Sequence, residues 1–177
     1  QLLVSEQSYG DLAAPPQARI PAFALITPVD GTRLRKNDLI IAFQTAMGII
    51  NADRAQNGLD PLMIGTERHA GVDVSCARYL EWEGEGVPPM QYNFSPSIAI
   101  CEGQLILGSA RDQVLAIVDA LKTQRQPPAA VANSELMLRM PAIVSALRAN
   151  RRPLVADRML KEGETSAQAG LFFDRLE

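Results

Sequence analysis

The sequence predicts an α+β domain with a mainly antiparallel sheet, packed helices and a helical C-terminal part. Strand-like segments lie in the first two thirds of the chain, two apolar runs around a tight turn lead directly into an amphipathic helix, and helical patterns fill the end. Such separation of strands and helices is typical of the α+β class. The chain has 177 residues, of which 47% are hydrophobic, and a net charge of -3. This composition excludes a disordered chain.

Three regions follow from the pattern of prolines and apolar residues. We predict that residues 1–21 form an extended N-terminal arm, either loosely attached or at an edge. Residues 22–126 form the sheet-and-helix domain, and residues 127–177 form a helical part packed on the same core.

The first strand and helix are predicted by residues 22–57. The apolar run at residues 22–29 predicts a strand ending at Asp30-Gly31. A helix begins near Asn37 or Asp38, either of which can cap it, and ends at Asn57-Gly58. Its apolar face recurs at spacings of three and four residues, at Leu39, Phe43, Ala46, Met47 and Ile50.

Two further segments of the middle region have the spacing of strands. Residues 62–64 predict a short strand, and residues 70–82 a longer one in which Val72, Val74 and Cys76 alternate with polar neighbours. The segment at residues 81–89 predicts an exposed loop.

The clearest local pattern is a hairpin followed by a helix. Residues 97–101 and 104–108 flank the dipeptide Glu102-Gly103, which predicts a tight turn. Ser109 then resembles the start of a capping box for a helix that ends near Lys122.

The positions of capping residues and prolines predict four helical segments in the C-terminal part. Asn133 or Ser134 caps the first, which carries Leu136, Met137 and Met140. Pro141 opens the second, because proline is tolerated in a first turn. The third covers residues 154–160, and Thr165 with Gln168 forms the capping box of the last.

The candidate binding residues are Trp82, Glu81 and Glu83. Three glutamates surround the single tryptophan, and such a run could bind a cation or a basic partner or be an ordinary solvated loop. Trp82 is the first candidate contact residue, because tryptophan is enriched at the energetic centres of interfaces.

The sequence shows no pattern for catalysis, a metal or a cofactor. There is one histidine, His69, and no nucleophile or phosphate-binding motif. His69 and Cys76 would lie about 23 Å apart on an extended strand, so we expect no thiol–imidazole pair. We expect both Cys76 and Cys101 to be buried thiols, whereas a bridge would favour an exported protein. Asn93-Phe94-Ser95 matches a glycosylation acceptor, a tripeptide common by chance.

Charge and hydropathy restrict the partners. A pI near 5.3 with scattered basic residues is not typical of a nucleic-acid-binding domain. No apolar run approaches the roughly 20 residues that span a bilayer. The sequence begins at Gln1, which we interpret as a processed product or a piece of a longer protein.

The segment at residues 94–121 (FSPSIAICEGQLILGSARDQVLAIVDAL) resembles a strand-turn-strand-helix unit of bacterial exported or envelope-associated proteins of uncharacterised function. The resemblance implies an α+β domain outside the cytoplasm and supplies no catalytic residue. The preferred hypothesis is therefore a non-enzymatic module that contacts a protein or the envelope, within a larger exported bacterial protein. The alternatives are a hydrolase with dispersed catalytic residues, a small-molecule-binding domain, and a cytoplasmic location.

Overall fold

The fold is built on one seven-stranded sheet with the order β3-β4-β5-β6-β2-β1-β7. The computed structural model describes residues 1–9, 12, 14–29, 35–80, 82, 84–123, 136–138 and 140–174. The strands are β1 (Leu2–Ser5), β2 (Ala22–Pro28), β3 (Met63–His69), β4 (Val72–Arg78), β5 (Ser97–Cys101), β6 (Gln104–Gly108) and β7 (Leu136–Leu138). The helices are α1 (Lys36–Gln56), α2 (Arg111–Thr123), α3 (Met140–Ala149), α4 (Arg151–Glu162) and α5 (Ser166–Asp174), and Met90–Asn93 forms a 3₁₀ turn.

The predicted α+β class is confirmed. Strands β1 to β6 pair antiparallel, while β7 joins β1 in parallel. The parallel strand replaces part of a predicted helix, because Leu136 and Met137 pair with Leu2 and Leu3. A three-residue strand is too short to show a periodic pattern, so the apolar residues at 136–138 were compatible with either a strand or a helix.

Two tight turns set the register of the sheet. Glu102 and Gly103 have φ of 49° and 73°, and Ala70 and Gly71 have φ of 47° and 78°. Positive φ at both central residues defines the turn type whose twist matches antiparallel strands. The first turn confirms the predicted hairpin, and the second joins β3 to β4.

Helix α2 covers one face of the sheet. Val114 and Val118 are fully buried against Ala24, Val74 and Ile106. Gly108 lets the helix approach closely, since a Cβ there would lie 2.5 Å from Val114 Cγ2. The helix begins without Ser109 as its cap: Ser109 Oγ instead accepts from Phe23 N at 3.0 Å, and Ser95 Oγ accepts from Arg111 N at 2.8 Å.

Helix α1 covers part of the opposite face, mainly over β4 and β5. Phe43 and Met47 are buried there against Ala77 and Ile98. The helix begins at Lys36, before the predicted start near Asn37 or Asp38, so neither of these residues is its cap; the N-cap residue Arg35 makes no capping side-chain hydrogen bond. It ends at Asn57-Gly58 as predicted, with Gly58 at φ 66°.

The predicted arm is tied into the domain at two points. Leu2–Ser5 pairs with β2 on one side and β7 on the other, so this segment is neither loosely attached nor at the sheet's edge. Further along, the buried side chain of Asn93 binds the same region: Oδ1 accepts from Tyr9 Oη at 2.6 Å and from Ile20 N at 3.0 Å. Because the Asn93 side chain is buried and hydrogen-bonded, it is not accessible as a glycosylation acceptor.

The C-terminal helices confirm most of the predicted segments. Helix α3 begins at Met140, beside Pro141, and contacts β1, while α4 and α5 pack on each other. The capping box is present, with Thr165 N donating to Gln168 Oε1 at 3.0 Å and Gln168 N to Thr165 Oγ1 at 3.4 Å. The candidate caps Asn133 and Ser134 lie outside the described residues. Among the helices described, none is long and apolar enough to cross a membrane.

Candidate functional site

An open cleft of about 630 Å³ lies where β3 begins and β4 ends. Strand β4 delivers Arg78 to its wall, and the chain continues through Tyr79 and Leu80. Tyr92, on the 3₁₀ turn before β5, closes the opposite side. The remaining wall is formed by Asp60, Pro61, Met63, Trp82 and Gly84.

Three aromatic rings line this cleft, hereafter the aromatic cleft. Tyr79 and Tyr92 have ring centroids 5.4 Å apart, and Trp82 meets Tyr92 edge-on at 5.8 Å. The guanidinium of Arg54 lies 4.9 Å from the centroid of Tyr79. These distances are those of favourable aromatic and cation–π contacts, so the rings support one another in fixed orientations.

Gly84 leaves the space that the indole of Trp82 occupies. A Cβ at this residue would lie 2.3 Å from Cζ2 of Trp82, closer than any packing allows. Trp82 is half-buried, with its Nε1 shielded from water and without a hydrogen-bond partner in the described parts of the chain. The part of the indole that remains exposed is therefore available for apolar contacts.

The rim of the cleft is apolar and exposed. Met63 is 51% exposed and Leu80 is 68% exposed, although both line the cleft. Leu59, Val87 and Met90, each exposed, lie within three residues of a lining residue in the chain. Met63 and Leu80 thus expose aliphatic surface in a cleft that also contains half-buried aromatic rings, a combination typical of a surface that contacts another molecule.

Burial affects the ionisation of Tyr92 in the cleft and of Cys76 in β4. Burial raises the pKa of Tyr92, and the nearby Asp60 and Tyr79 raise it further. The phenol therefore stays neutral at physiological pH and can donate a hydrogen bond. Burial likewise raises the pKa of the Cys76 thiol in the adjacent strand, which makes it a poor nucleophile.

The groups that could support catalysis lie apart. His69 Nε2 is 2.8 Å from Asp119 Oδ1 on α2, but His69 faces Val72 in the strand register. Val72 precedes Cys76 by four residues, which is about 13 Å along a strand. The chain turns at Ala70-Gly71, so the predicted separation of about 23 Å was too long, and the register places His69 and Cys76 about 13 Å apart instead. Cys76 and Cys101 are both free and buried, as predicted. No group of three or more metal-binding side chains occurs within the described residues.

A second, mostly apolar groove of about 330 Å³ lies beside α2. Gln113 lines it and is 8% exposed. Gln113 Nε2 donates to Ser5 Oγ at 2.8 Å and to the Ala22 carbonyl at 3.2 Å, which fixes the orientation of the amide. Its Oε1 is buried and accepts no hydrogen bond from any residue whose position is described.

The structure describes one of the three predicted binding residues. Trp82 lies in the aromatic cleft, while Glu81 and Glu83 lie outside the described residues. Sequence reasoning missed Tyr79, Tyr92 and Gly84. One signal was available: the cleft contains the single tryptophan and two of the three tyrosines of the chain.

Comparisons with known proteins give the site no precedent. No family model matches the chain, and neither a curated protein nor a solved structure matches it at a significant level.

Proposed function

We propose that this domain is a protein-interaction module whose aromatic cleft receives an apolar or aromatic side chain of another protein. The observation that carries the proposal is the half-buried Trp82, which lies over Gly84 and contacts Tyr92 in an open cleft also lined by the exposed aliphatic residues Met63 and Leu80. Tryptophan, tyrosine and arginine in such a setting dominate the binding energy of protein interfaces.

Binding fits this cleft better than catalysis does. Among the described residues, Asp60 and Arg78 are the charged ones that line the cleft, and neither contacts a nucleophile in the described hydrogen bonds and ion pairs. The rings instead offer apolar surface on side chains with few rotatable bonds. Such side chains lose little conformational entropy when they bind a partner's side chain.

The proposal retains the exported or envelope-associated location, within a larger bacterial protein. Its support is the resemblance of residues 94–121 to the strand-turn-strand-helix unit of such proteins. The hairpin and helix of that unit are present as β5, β6 and α2.

A photocrosslinking experiment tests the proposed function. Benzoylphenylalanine replaces Leu80, on the rim of the cleft, or Leu160, an equally apolar and 87% exposed residue of α4 that serves as the matched control. In cells of the source organism we expect a discrete protein adduct from position 80 and none from position 160. The purified adduct partner should then bind Trp82→Ala at least about tenfold more weakly than the native chain, a loss of about 1.4 kcal/mol.

Two outcomes would contradict the proposal. The same adducts from both positions would show non-specific contact of exposed leucines. Equal affinity of the partner for Trp82→Ala and the native chain would show that the aromatic cleft is not the binding site.

A second candidate function, small-molecule binding, is favoured by the groove beside α2. The buried acceptor Gln113 Oε1 costs free energy while it lacks a donor, and Gln113 lines the groove together with the small residues Ala116 and Ala120. A matched pair of probes, 1-pentanol and its methyl ether, tests this function by NMR. Binding of the alcohol with a shift of the Gln113 side-chain amide, and none for the ether, is expected; equal or absent shifts would contradict it.

A further inference from the structure

We infer that the partner binds as an extended peptide that adds a strand to the free edge of β3 and places a large apolar side chain in the aromatic cleft. This inference rests on the proposed function and specifies the form of the partner. It follows from the juxtaposition of an open sheet edge with a cleft at the end of the same strand.

Strand β3 is the last strand on its side of the sheet. The two-residue turn at Ala70-Gly71 makes His69 and Val72 a hydrogen-bonded pair, as in other hairpins of this type. Hydrogen-bonded and non-hydrogen-bonded pairs alternate along antiparallel strands. The backbone N–H and C=O groups of Ile64, Thr66 and Arg68 therefore point away from β4, toward solvent.

This edge is open to another chain. Residues 63–66 and Arg68 are exposed, and an added Cβ at Gly65 would meet nothing within 4 Å. The described chain makes no backbone hydrogen bond to the outward groups of Ile64, Thr66 or Arg68. An extended peptide can satisfy these groups by strand addition, a common mode of peptide recognition.

The edge continues directly into the aromatic cleft. Met63 is the first residue of β3, and its side chain lines the cleft together with that of its cross-strand partner Arg78. A peptide paired along β3 would thus pass the cleft at the Met63 end. One of its side chains can enter there, next to Trp82.

Charge specifies the other end of the peptide. Arg68 is exposed and faces Asp73 across the hairpin. Asp73 accepts from Lys36 Nζ at 3.1 Å, and this hydrogen bond together with the charges of both Lys36 and Arg68 lowers its pKa. Glu67 is held by Arg111, at 2.7 Å. Two cations thus share the single carboxylate of Asp73, which leaves a net positive charge at this end of the strand. The peptide should therefore carry an acidic residue near Arg68, about five positions from the apolar side chain in the cleft.

A second copy of the chain fits this edge less well. Antiparallel self-pairing centred on Thr66 would place Arg68 opposite Ile64 of the other copy, which brings no acidic side chain to this positively charged end of the strand. The strand would also bring no aromatic side chain to the cleft. These mismatches favour an acidic, aromatic peptide of a different protein.

The test uses a phage-displayed library of random 12-residue peptides selected against the full chain. We expect enriched peptides with alternating apolar residues, and with an acidic and a large apolar residue about five positions apart. A synthetic peptide of this consensus should shift the emission of Trp82, the single tryptophan of the chain. It should also slow amide hydrogen exchange at Ile64, Thr66 and Arg68, but not at Gly65 and Glu67, which face β4.

Two variants separate backbone pairing from side-chain contacts. Thr66→Pro removes one outward N–H, and proline is tolerated on an edge strand at such a position, so the variant should fold but bind the consensus peptide at least tenfold more weakly. Thr66→Val keeps the N–H and should bind normally. Arg68→Glu should weaken binding of the acidic peptide and restore it for a peptide whose acidic residue is replaced by lysine.

Each contrary result has a distinct meaning. Peptide binding that shifts Trp82 emission without protecting the three outward amides, or with Thr66→Pro unaffected, overturns strand addition and leaves the proposed function standing. Protection that rises with the concentration of the chain alone makes a second copy the occupant and overturns the inference. The absence of any selected peptide that depends on Trp82 also overturns it.

Discussion

The face of the sheet under α2 and the end of the sheet at the aromatic cleft are held together by different interactions. Under α2 the contacts are aliphatic and almost completely buried, with Val74, Ile106, Val114 and Val118 at 0% exposure. At the cleft the aromatic rings are partly exposed, and a polar side chain, Asn93, binds the adjoining backbone. The α2 side excludes water from aliphatic side chains, whereas the aromatic cleft leaves large aromatic side chains partly in contact with water.

This difference separates stability from binding. Free energy from burial scales with the apolar area removed from water, so the α2 side stabilises the fold most. The aromatic cleft retains exposed apolar surface, and a partner that covers it gains the same kind of free energy on binding. Substitutions should therefore affect the two regions in different measurements.

The largest expected effect is a loss of stability on the α2 side. Ile106→Ala removes a fully buried side chain and should lower the free energy of unfolding by about 4 kcal/mol. Ile49→Ala makes the same change at a residue of α1 that is 67% exposed, and should cost less than about 0.5 kcal/mol. Urea unfolding measures both, and similar midpoints for the two variants would contradict the assignment of the core.

The next effect concerns the polar contacts beside the cleft. Asn93→Ala removes an acceptor for Tyr9 Oη and Ile20 N and a donor to the Ala18 and Met90 carbonyls. It should lower stability by about 3 kcal/mol, because buried backbone groups lose their partners.

Hydrogen exchange locates the effect of this substitution. The Ile20 amide should exchange faster in Asn93→Ala, while the amides of Ile106 and Val114 should change only with global stability. Asn57→Ala is the control, since the Asn57 side chain bonds the Asp53 carbonyl at an exposed helix end. A uniform change across the chain would show that Asn93 does not act locally.

Local sequence patterns predicted most of the fold. The hairpin at β5 and β6, the helices α1 and α2, and the capping box of α5 all depend on residues within about ten positions of one another, so the sequence contained the required signals. Strand β1 was not predicted, because it has only four residues and no alternating pattern. These residues form a strand because they pair with β2 and β7, which are distant in the sequence. Propensity is a weak guide where tertiary pairing decides.

The candidate site was predicted only at Trp82. Its partners Tyr79 and Tyr92 are separated by 13 positions in the sequence and meet because β4 and β5 pair in register. Gly84 has its role because the indole lies over it, a contact that no local pattern encodes. Composition could have indicated the rings, but not their distances.

A smaller effect on stability, with a clear effect on the cleft, is expected for Gly84→Ala. The added methyl group would overlap the Trp82 ring, which must move because a contact of 2.3 Å is too short. Trp82 emission should shift toward the red as the indole becomes more exposed, while the unfolding free energy changes by less than about 1 kcal/mol. Gly65→Ala is the control, and an unchanged spectrum for Gly84→Ala would contradict the contact.

The smallest effect is a pH dependence that originates in the α2 side. Burial raises the pKa values of both the Cys76 and Cys101 thiols, so the folded state resists forming thiolates. The stability that the neutral thiols contribute is complete below the unfolded thiol pKa of about 8.5, and it falls as pH rises from there toward the raised folded values. Urea midpoints at about pH 7.5 and pH 9.5 should therefore differ more for the native chain than for the double variant Cys76→Ala/Cys101→Ala. Equal differences would show that the alkaline loss arises elsewhere, with Tyr92 in the aromatic cleft as the next group to replace, because burial raises its pKa in the same direction.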